Sequence, residues 1–321
     1  MYLNLLLFAG LVYVPLAIGA GVRHHGLLRR DYSKEIMTIT WLTLEPVAAT
    51  ISFWSIDLGK VADLAAAPVL GALWMLAMLL PAAFAAARLR LNEIQRGNFL
   101  LAAMFSNNGI TLGAFVCLMF FGIEGQAMSL LFVLLFYPLL LSVGFGIGRH
   151  SLKQAALANG TSPEAVVPPT GLMRMVPYAA MTLGLVLNLT HVARPAFALH
   201  VNRSVVFLDV AIYSFAIGTL FTLGSVRRYL RECLVMSGLK FVISPLIGVL
   251  LFAAAAQVMH LSPLLLNAMI VQCAMPVAIM SVVVSRFCRL DMDLAAACWV
   301  FTTLAVAGIV PILALIVNHA R

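Results

Sequence analysis

Apolar stretches of about 20 residues follow one another along nearly the whole chain, with short polar connections between them. A stretch of this length is what a helix needs to cross the hydrocarbon core of a bilayer. Only 10% of the 321 residues are charged, whereas soluble domains carry about 25% charged residues. The pattern therefore predicts an all-α polytopic membrane protein and argues against a soluble globular fold.

Ten of these stretches are predicted to be transmembrane helices, and the charges of the connections agree with them. The predicted spans are roughly 1–21, 36–56, 65–87, 98–121, 127–147, 172–190, 205–225, 235–257, 263–285 and 293–317. Of the 20 Lys and Arg residues, we count 16 in alternate connections, Lys240 among them. Because cytoplasmic loops carry the excess of basic residues, this split places the odd-numbered loops in the cytoplasm and both termini outside it.

The same orientation signal accounts for the net charge of +8, so nucleic acid is not predicted as a partner. The first apolar run has no basic residue ahead of it, which is the reverse of a signal peptide, so we predict a retained helix. The compact loops favour a bacterial inner membrane, and the lipid bilayer is then the surrounding partner.

The longest polar stretch, residues 149–171, divides the chain into two sets of five helices. Its Gly, Ser and Pro residues are typical of a flexible cytoplasmic linker. Because five is odd, the second set enters the membrane inverted relative to the first. The predicted organisation is a first repeat at 1–148, the linker at 149–171 and a second, inverted repeat at 172–321, which is a common plan among transporters.

Polar and helix-breaking residues interrupt two of the predicted spans, the fourth and the ninth. The first interruption, at 106–113, holds two asparagines and two glycines, and the second, at 272–276, ends on Pro276. Glycine lacks the Cβ that restricts other residues, and proline lacks an N–H group and clashes with the preceding turn, so both favour unwinding. Broken helices in corresponding positions of two halves predict the binding site of a transporter.

An unwound helix exposes a new N-terminus, which carries about +0.5 of an elementary charge and attracts anions. Two crossed breaks would bring two such ends together, and the carboxamides there can donate hydrogen bonds to a carboxylate. The predicted substrate-binding residues are Asn107, Asn108, Gly109, Thr111, Gly113, Gln272, Met275 and Pro276. The alternative is that Pro276 only kinks its helix and that the asparagine pair is a packing contact.

Glu45 is the acidic residue that lies deepest in a predicted span. Charging it at mid-bilayer costs at least about 2.5 kcal/mol, so it is expected to face protein or water, or to be protonated. We predict that Glu45 carries the coupling proton; the alternative is a neutral acid bonded to a backbone carbonyl that Pro46 leaves free. Asp209, near the start of span seven, is expected to be a helix-start acid that the helix dipole stabilises.

Several segments resemble the auxin efflux carrier family, which includes the plant PIN carriers and bacterial malate and malonate permeases. The likeness extends over nearly the whole chain and is carried by 19–28, Leu44-Glu45-Pro46, Asn107-Asn108-Gly109 with Gly113, 121–127, 240–245 and Ala274-Met275-Pro276. The resemblance implies a place in the bile-acid, arsenite and riboflavin transporter superfamily, with a fold like that of sodium–proton antiporters. In that fold helices four and nine are broken and cross, and a scaffold and a transport domain each draw on both repeats.

The resemblance further implies a secondary active transporter that moves a small organic anion, such as malate, malonate or an auxin-like acid, by alternating access. Because no cluster of acidic residues lies near the breaks beyond Glu45, we expect proton coupling or passive electrogenic flux rather than sodium coupling, although backbone carbonyls and Asn oxygens can bind sodium. A homodimer is compatible with the resemblance. A sodium-coupled bile-acid-type symporter is one alternative, and a membrane sensor or receptor that does not translocate is another. The sequence has no recognisable catalytic, nucleotide, cofactor or metal motif, so we do not expect an enzyme.

Overall fold

Helices make up nearly all of the computed structural model, which describes residues 2–27, 32–55, 66–108, 112–161, 172–220 and 223–319. Within these ranges no strand forms, as expected where lipid leaves backbone groups to be satisfied inside helices. Six described segments are long and apolar enough to cross a membrane: Glu35–Trp54, Ala66–Arg88, Glu124–Ala158, Ala198–Leu220, Leu230–Ala256 and Met292–Leu315. These segments support a polytopic membrane protein, whereas the ten-helix inverted repeat stays a prediction.

The helices are numbered here in chain order. They are α1 (Tyr2–His24), α2 (Tyr32–Trp54), α3 (Ala66–Ala77), α4 (Leu79–Arg88), α5 (Glu93–Met104), α6 (Gly113–Phe132), α7 (Phe136–Leu139), α8 (Phe145–Ala158), α9 (Leu172–Leu189), α10 (Ala198–Leu220), α11 (Leu223–Arg228), α12 (Leu230–Gly238), α13 (Ser244–Ala256), α14 (Pro263–Cys273), α15 (Ile279–Phe287) and α16 (Met292–His319). Two π-helical turns, Leu140–Gly144 and Leu239–Ile243, join α7 to α8 and α12 to α13.

The chain forms two compact units, and each unit takes helices from both halves of the sequence. The first unit comprises Met1–Gly59 and Pro169–Thr222, and the second comprises Lys60–Pro168 and Leu223–Arg321. In the first unit α10 packs against α1 and α2, and α2 also packs against α9. In the second unit α14 packs against α6, and α5 packs against α4 and α8.

Two predicted connections are partly helical in the structure. The turn predicted after span four falls at Gly122, whose φ of 72° is non-helical, so α6 consists of two helical segments that meet at a kink there. The second segment continues to Phe132. The predicted linker 149–171 begins as a helix, because α8 continues through good helix formers to Ala158. Residues 162–171 of that linker lie outside the described ranges.

Asp291 joins the ends of several helices in the second unit. Its Oδ1 accepts hydrogen bonds from the N–H groups of Asp293 and Leu294 and so caps the start of α16. Its Oδ2 accepts from the hydroxyl of Tyr229 at 2.8 Å, and its carbonyl accepts from the side chain of Asn98 at 2.6 Å. Burial, and then the hydrogen bond to Asp291 and its charge, raise the pKa of Tyr229 to about 12.

Two glycines allow α1 and α10 to approach closely in the first unit. A Cβ added to Gly19 would overlap the backbone of Phe215, and one added to Gly218 would overlap the backbone of Leu16. Small residues at such crossings let transmembrane helices pack backbone against backbone. Arg23 adds to the contact, because its guanidinium donates to the carbonyl of Thr219 at 3.1 Å.

We expect Gly19→Ala to lower the free energy of unfolding by about 1–3 kcal/mol, because the added methyl meets backbone that cannot rotate away. The matched control is Gly21→Ala in the same helix, where a Cβ has nothing within 4 Å. That change should be neutral or stabilising by up to about 1 kcal/mol, because alanine favours the helix. Thermal unfolding in detergent compares the two variants, and equal melting temperatures would contradict the close packing of α1 against α10 at Gly19.

Candidate substrate site at two helix breaks

Two non-helical segments lie in the second unit. The first break, residues 105–112, separates α5 from α6, and its residues 109–111 lie outside the described ranges. The second break, residues 274–278, separates α14 from α15. The predicted break, 272–276, begins two residues before the observed one, and Gln272 belongs to the last turn of α14. Proline restricts chiefly the residue directly before it, so the helix continues to Cys273.

Backbone hydrogen bonds join the two breaks. The N–H of Asn107 donates to the carbonyl of Pro276 at 2.7 Å, and the N–H of Ala278 donates to the carbonyl of Phe105 at 3.0 Å. Ser106 and Val277 form an antiparallel bridge between these bonds. Backbone groups that have left a helix at membrane depth need partners, and each break supplies partners to the other.

The ammonium group of Lys240 holds the end of α5. Its Nζ lies 2.8 Å from the carbonyl oxygen of Ala103, 3.0 Å from that of Phe105 and 2.9 Å from Oγ of Ser106. The last carbonyls of a helix lack intrahelical partners and carry a partial negative charge, which a cation stabilises. An ammonium group has three donors, so these three contacts use its full capacity.

Lys240 was counted with the cytoplasmic loop residues, and that assignment was wrong. It lies in the π-helical turn Leu239–Ile243, and its side chain is 0% exposed. A loop position was predicted because three other cationic residues lie near the same end of the span: Arg227, Arg228 and Arg231. The available signal was a single lysine inside the predicted span 235–257.

Ser244 supports the second break from the same helical segment. Its hydroxyl donates to the carbonyl of Cys273 at 2.6 Å, and its own carbonyl accepts from the indole N–H of Trp74 at 3.1 Å. Thr302 of α16 accepts from the N–H of Val277 at 3.2 Å. Lys240 and Ser244 lie one helical turn apart, so one segment satisfies carbonyls at the ends of both α5 and α14.

The predicted substrate residues in the described part of the breaks are buried. Asn108, Gln272 and Met275 are 0% exposed, and Asn107 is 7% exposed. A Cβ on Gly113 would overlap Oε1 of Gln272 and the backbone of Asn108, so these groups converge on the start of α6. Pro276 takes part through its carbonyl. Gly109 and Thr111 lie outside the described residues.

Two buried carboxamides at this site have hydrogen-bonding capacity to spare. Both amide atoms of Asn108, and Oε1 of Gln272, have no hydrogen-bond partner in the described part of the chain. The Nε2 of Gln272 donates weakly to Sγ of Cys117 at 3.4 Å. An unpaired buried polar group costs about 1–3 kcal/mol, so such groups mark a place where a ligand or ordered water is expected.

The helices that begin at the breaks lack side-chain caps from the part of the chain that the structure describes. Within it, no side-chain hydrogen bond caps α6 at Leu112 or α15 at Ala278. The described residues of both breaks are uncharged, and Lys240 in its ammonium form brings a positive charge to them. Two partially positive helix ends, this ammonium group and the unpaired amide donors of Asn108 all suit an anionic ligand. The unpaired Oε1 of Gln272 is an acceptor, which suits a water molecule or a protonated carboxyl group.

Glu45 belongs to the first unit, whereas both breaks belong to the second. Its side chain is 5% exposed and hydrogen-bonded to Asp209 of α10, which is equally buried. A hydrogen bond between two carboxyl groups requires that one of them is protonated and donates. The interpretation of Asp209 as a helix-start acid was wrong, because α10 begins at Ala198 and places Asp209 in its middle. Polar residues extend that helix beyond the apolar span.

Residues 206–321 of the chain match the model of the Sodium Bile acid symporter family. The matched part contains Lys240, Ser244 and the whole second break. The match supports a transporter of the bile-acid, arsenite and riboflavin superfamily, and it does not single out the auxin efflux carrier family. No curated protein matches the chain.

We expect Lys240→Met to lower the free energy of unfolding by about 1–3 kcal/mol. The change keeps an unbranched chain but leaves the carbonyl of Ala103 without the ammonium donor, while the carbonyl of Phe105 keeps only the N–H of Ala278. The control is Lys153→Met on the exposed face of α8, which should change little. Thermal unfolding in detergent measures both, and equal stabilities would show that Lys240 is not needed to hold the breaks.

Proposed function

We propose that the protein is a secondary active transporter that binds a small organic anion at the two breaks and moves it by alternating access. The observation that carries the proposal is the unsatisfied, fully buried amide of Asn108, beside two helix starts that no described side chain caps. A carboxylate accepts hydrogen bonds from amide N–H groups and is attracted to helix N-termini. The unpaired Oε1 of Gln272 can accept a hydrogen bond from a second, protonated carboxyl group or from water.

The proposal includes the crossing of the two broken helices and the inverted-repeat plan of ten helices. Backbone pairing between Asn107 and Pro276, and between Phe105 and Ala278, supports such a crossing. Gly109 and Thr111 are included in the proposed site on their position in the sequence. In this scheme the second unit, which contains both breaks, is the transport domain, and the first unit is the scaffold.

The substrate class follows from charge and from the two likenesses. The resemblance to malate and malonate permeases indicates mono- or dicarboxylates, including auxin-like acids. The name of the matched family refers to bile acids, which are also organic anions. Both likenesses agree with the positive electrostatics of the breaks, and a small dicarboxylate is the first substrate to test.

The second candidate is a sodium-coupled symporter of the bile-acid type. The family match over residues 206–321 favours it. Unwound carbonyls and helix C-termini are the groups that bind sodium in such carriers. Here the ammonium of Lys240 already occupies the carbonyls of Ala103 and Phe105, which removes these ligands from use. Proton coupling is therefore the favoured mechanism, and sodium coupling is the alternative.

The described structure offers two places for a coupling proton. One is Glu45 in the first unit, to which the sequence had assigned it and which is paired there with Asp209. The other is Lys240 in the second unit, in contact with the breaks themselves.

Asn108→Ala should reduce saturable uptake of radiolabelled malonate or malate into proteoliposomes by about fivefold or more, because a lost amide contact costs about 1–3 kcal/mol. Asn159→Ala, the same change in an exposed turn after α8, is the control and should leave uptake unchanged. Equal uptake by the Asn108 variant and the wild type would remove the breaks as the substrate site.

The coupling ion is tested in the same vesicles by imposing a proton or a sodium gradient separately. We expect an inward proton gradient to drive accumulation and a sodium gradient to have no effect, because Lys240 occupies the freed carbonyls. Accumulation that requires sodium would favour the bile-acid-type symporter instead.

A further inference from the structure

The oxygen atoms around Lys240 form a cation site that is already filled. Two backbone carbonyls and one hydroxyl surround Nζ at 2.8–3.0 Å, at the point where α5 unwinds. Carbonyls freed at helix breaks are the ligands that carriers of this general plan use for sodium or a proton. The covalently attached ammonium therefore stands where a diffusible coupling cation would otherwise bind.

Ser106 makes this site suitable for both protonation states of Lys240. The ammonium form donates three hydrogen bonds, to the carbonyls of Ala103 and Phe105 and to Oγ of Ser106. The neutral amine has two N–H donors and one lone pair. It can keep both carbonyl contacts while its lone pair accepts from the Ser106 hydroxyl, which is a donor as well as an acceptor. Loss of the proton thus leaves no hydrogen-bonding group of the lysine unpaired.

Few charged or titratable groups lie near Lys240 that would fix its protonation state. The thiol of Cys273 on α14 interacts with it electrostatically. On the elements packed against its turn, the charged or titratable side chains of α4, α5 and α12 lie at the helix ends, and α13 has none. They are Arg88, Glu93, Arg96, Arg231, Glu232 and Cys233. A bound anion at the neighbouring carboxamides would be the nearest new charge.

We propose that Lys240 carries the coupling proton of the transport cycle, with Ser106 as the hydroxyl that stabilises both of its states. The proposal rests on the proposed function, because it assigns the proton to the anion site at the breaks. The anion-bound carrier holds the ammonium form. After the anion leaves, the N–H bond breaks, the electron pair stays on Nζ and the proton passes to water on the same side. One proton offsets one negative charge of the anion, so a monoanion moves with no net charge and a dianion such as malonate moves with one net negative charge.

This coupling is reciprocal. If the anion binds better to the ammonium form, the proton must bind better to the anion-loaded protein by the same factor. Malonate is therefore expected to shift the titration of Lys240 toward higher pH. A fixed structural cation, in contrast, would show no titration and no response to the anion.

The chain offers a direct way to observe this group, because it contains only four lysines: Lys34, Lys60, Lys153 and Lys240. Replacing the first three by arginine and labelling lysine with ¹³C at Cε leaves a single NMR signal, from Lys240 in the otherwise unchanged protein. The Cε shift in detergent, followed between about pH 5 and pH 8 and then beyond, reports the loss of the proton. The titration is recorded with and without malonate, and again with Ser106→Ala.

We expect the signal to titrate reversibly and the midpoint to rise when malonate is added. Ser106→Ala should move the midpoint by about one pH unit or more, because the hydroxyl bonds differently to the two states. A signal that stays in the ammonium form up to about pH 10, the ordinary range of lysine, would overturn the proposal. A midpoint that Ser106→Ala leaves unchanged would overturn the role of the hydroxyl.

Transport measurements separate this failure from failure of the proposed function. If Lys240 titrates but malonate and malate are neither bound nor transported, the dicarboxylate assignment fails while the proton site stands. If proton-driven malonate uptake survives in Lys240→Gln, the proton is carried elsewhere and the inference fails while the carrier function stands. Loss of proton-driven uptake in Glu45→Gln, together with a Lys240 signal that does not titrate, would place the proton on the carboxyl pair.

Discussion

The contact between the Lys240 ammonium and the unwound end of α5 is the interaction on which the candidate site depends. Helix breaks at membrane depth leave carbonyl groups that neither lipid nor a regular helix can satisfy. Lys240 donates hydrogen bonds to two of these carbonyls and to the hydroxyl of Ser106, while Ser244 donates one to the carbonyl of Cys273. With those groups satisfied, the two breaks can pair with each other through Asn107 and Pro276.

The two kinds of helix end at the breaks are treated differently, and this difference determines the chemistry of the site. Side chains satisfy the negative ends of α5 and α14, whereas α6 and α15 begin without a side-chain cap from the described residues. The groups that attract cations are therefore paired, and those that attract anions are available to a ligand. The unpaired amide of Asn108 adds directional donors, while the unpaired Oε1 of Gln272 is an acceptor that suits a water molecule or a protonated carboxyl group.

The sequence predicted those features that depend on local chemistry. Asparagine, glycine and proline inside apolar runs located both breaks, because each residue acts on its own stretch of backbone. Lys240 was missed because its partners lie 134 to 137 positions away along the chain, and Asp209 was misplaced because polar residues extend α10 beyond its apolar span. The partners of Lys240 are determined by tertiary packing, which cannot be predicted from hydropathy or residue spacing. The pairing between the two breaks could not be predicted for the same reason.

Locating a bound anion in the protein tests whether the two breaks form the substrate site. Crystals grown with bromomalonate would show the bromine through its anomalous scattering. We expect a peak in contact with the side chains of Asn108 and Gln272, at the start of α6. A peak among the residues of the first unit around Glu45 and Asp209, with none at the breaks, would contradict it.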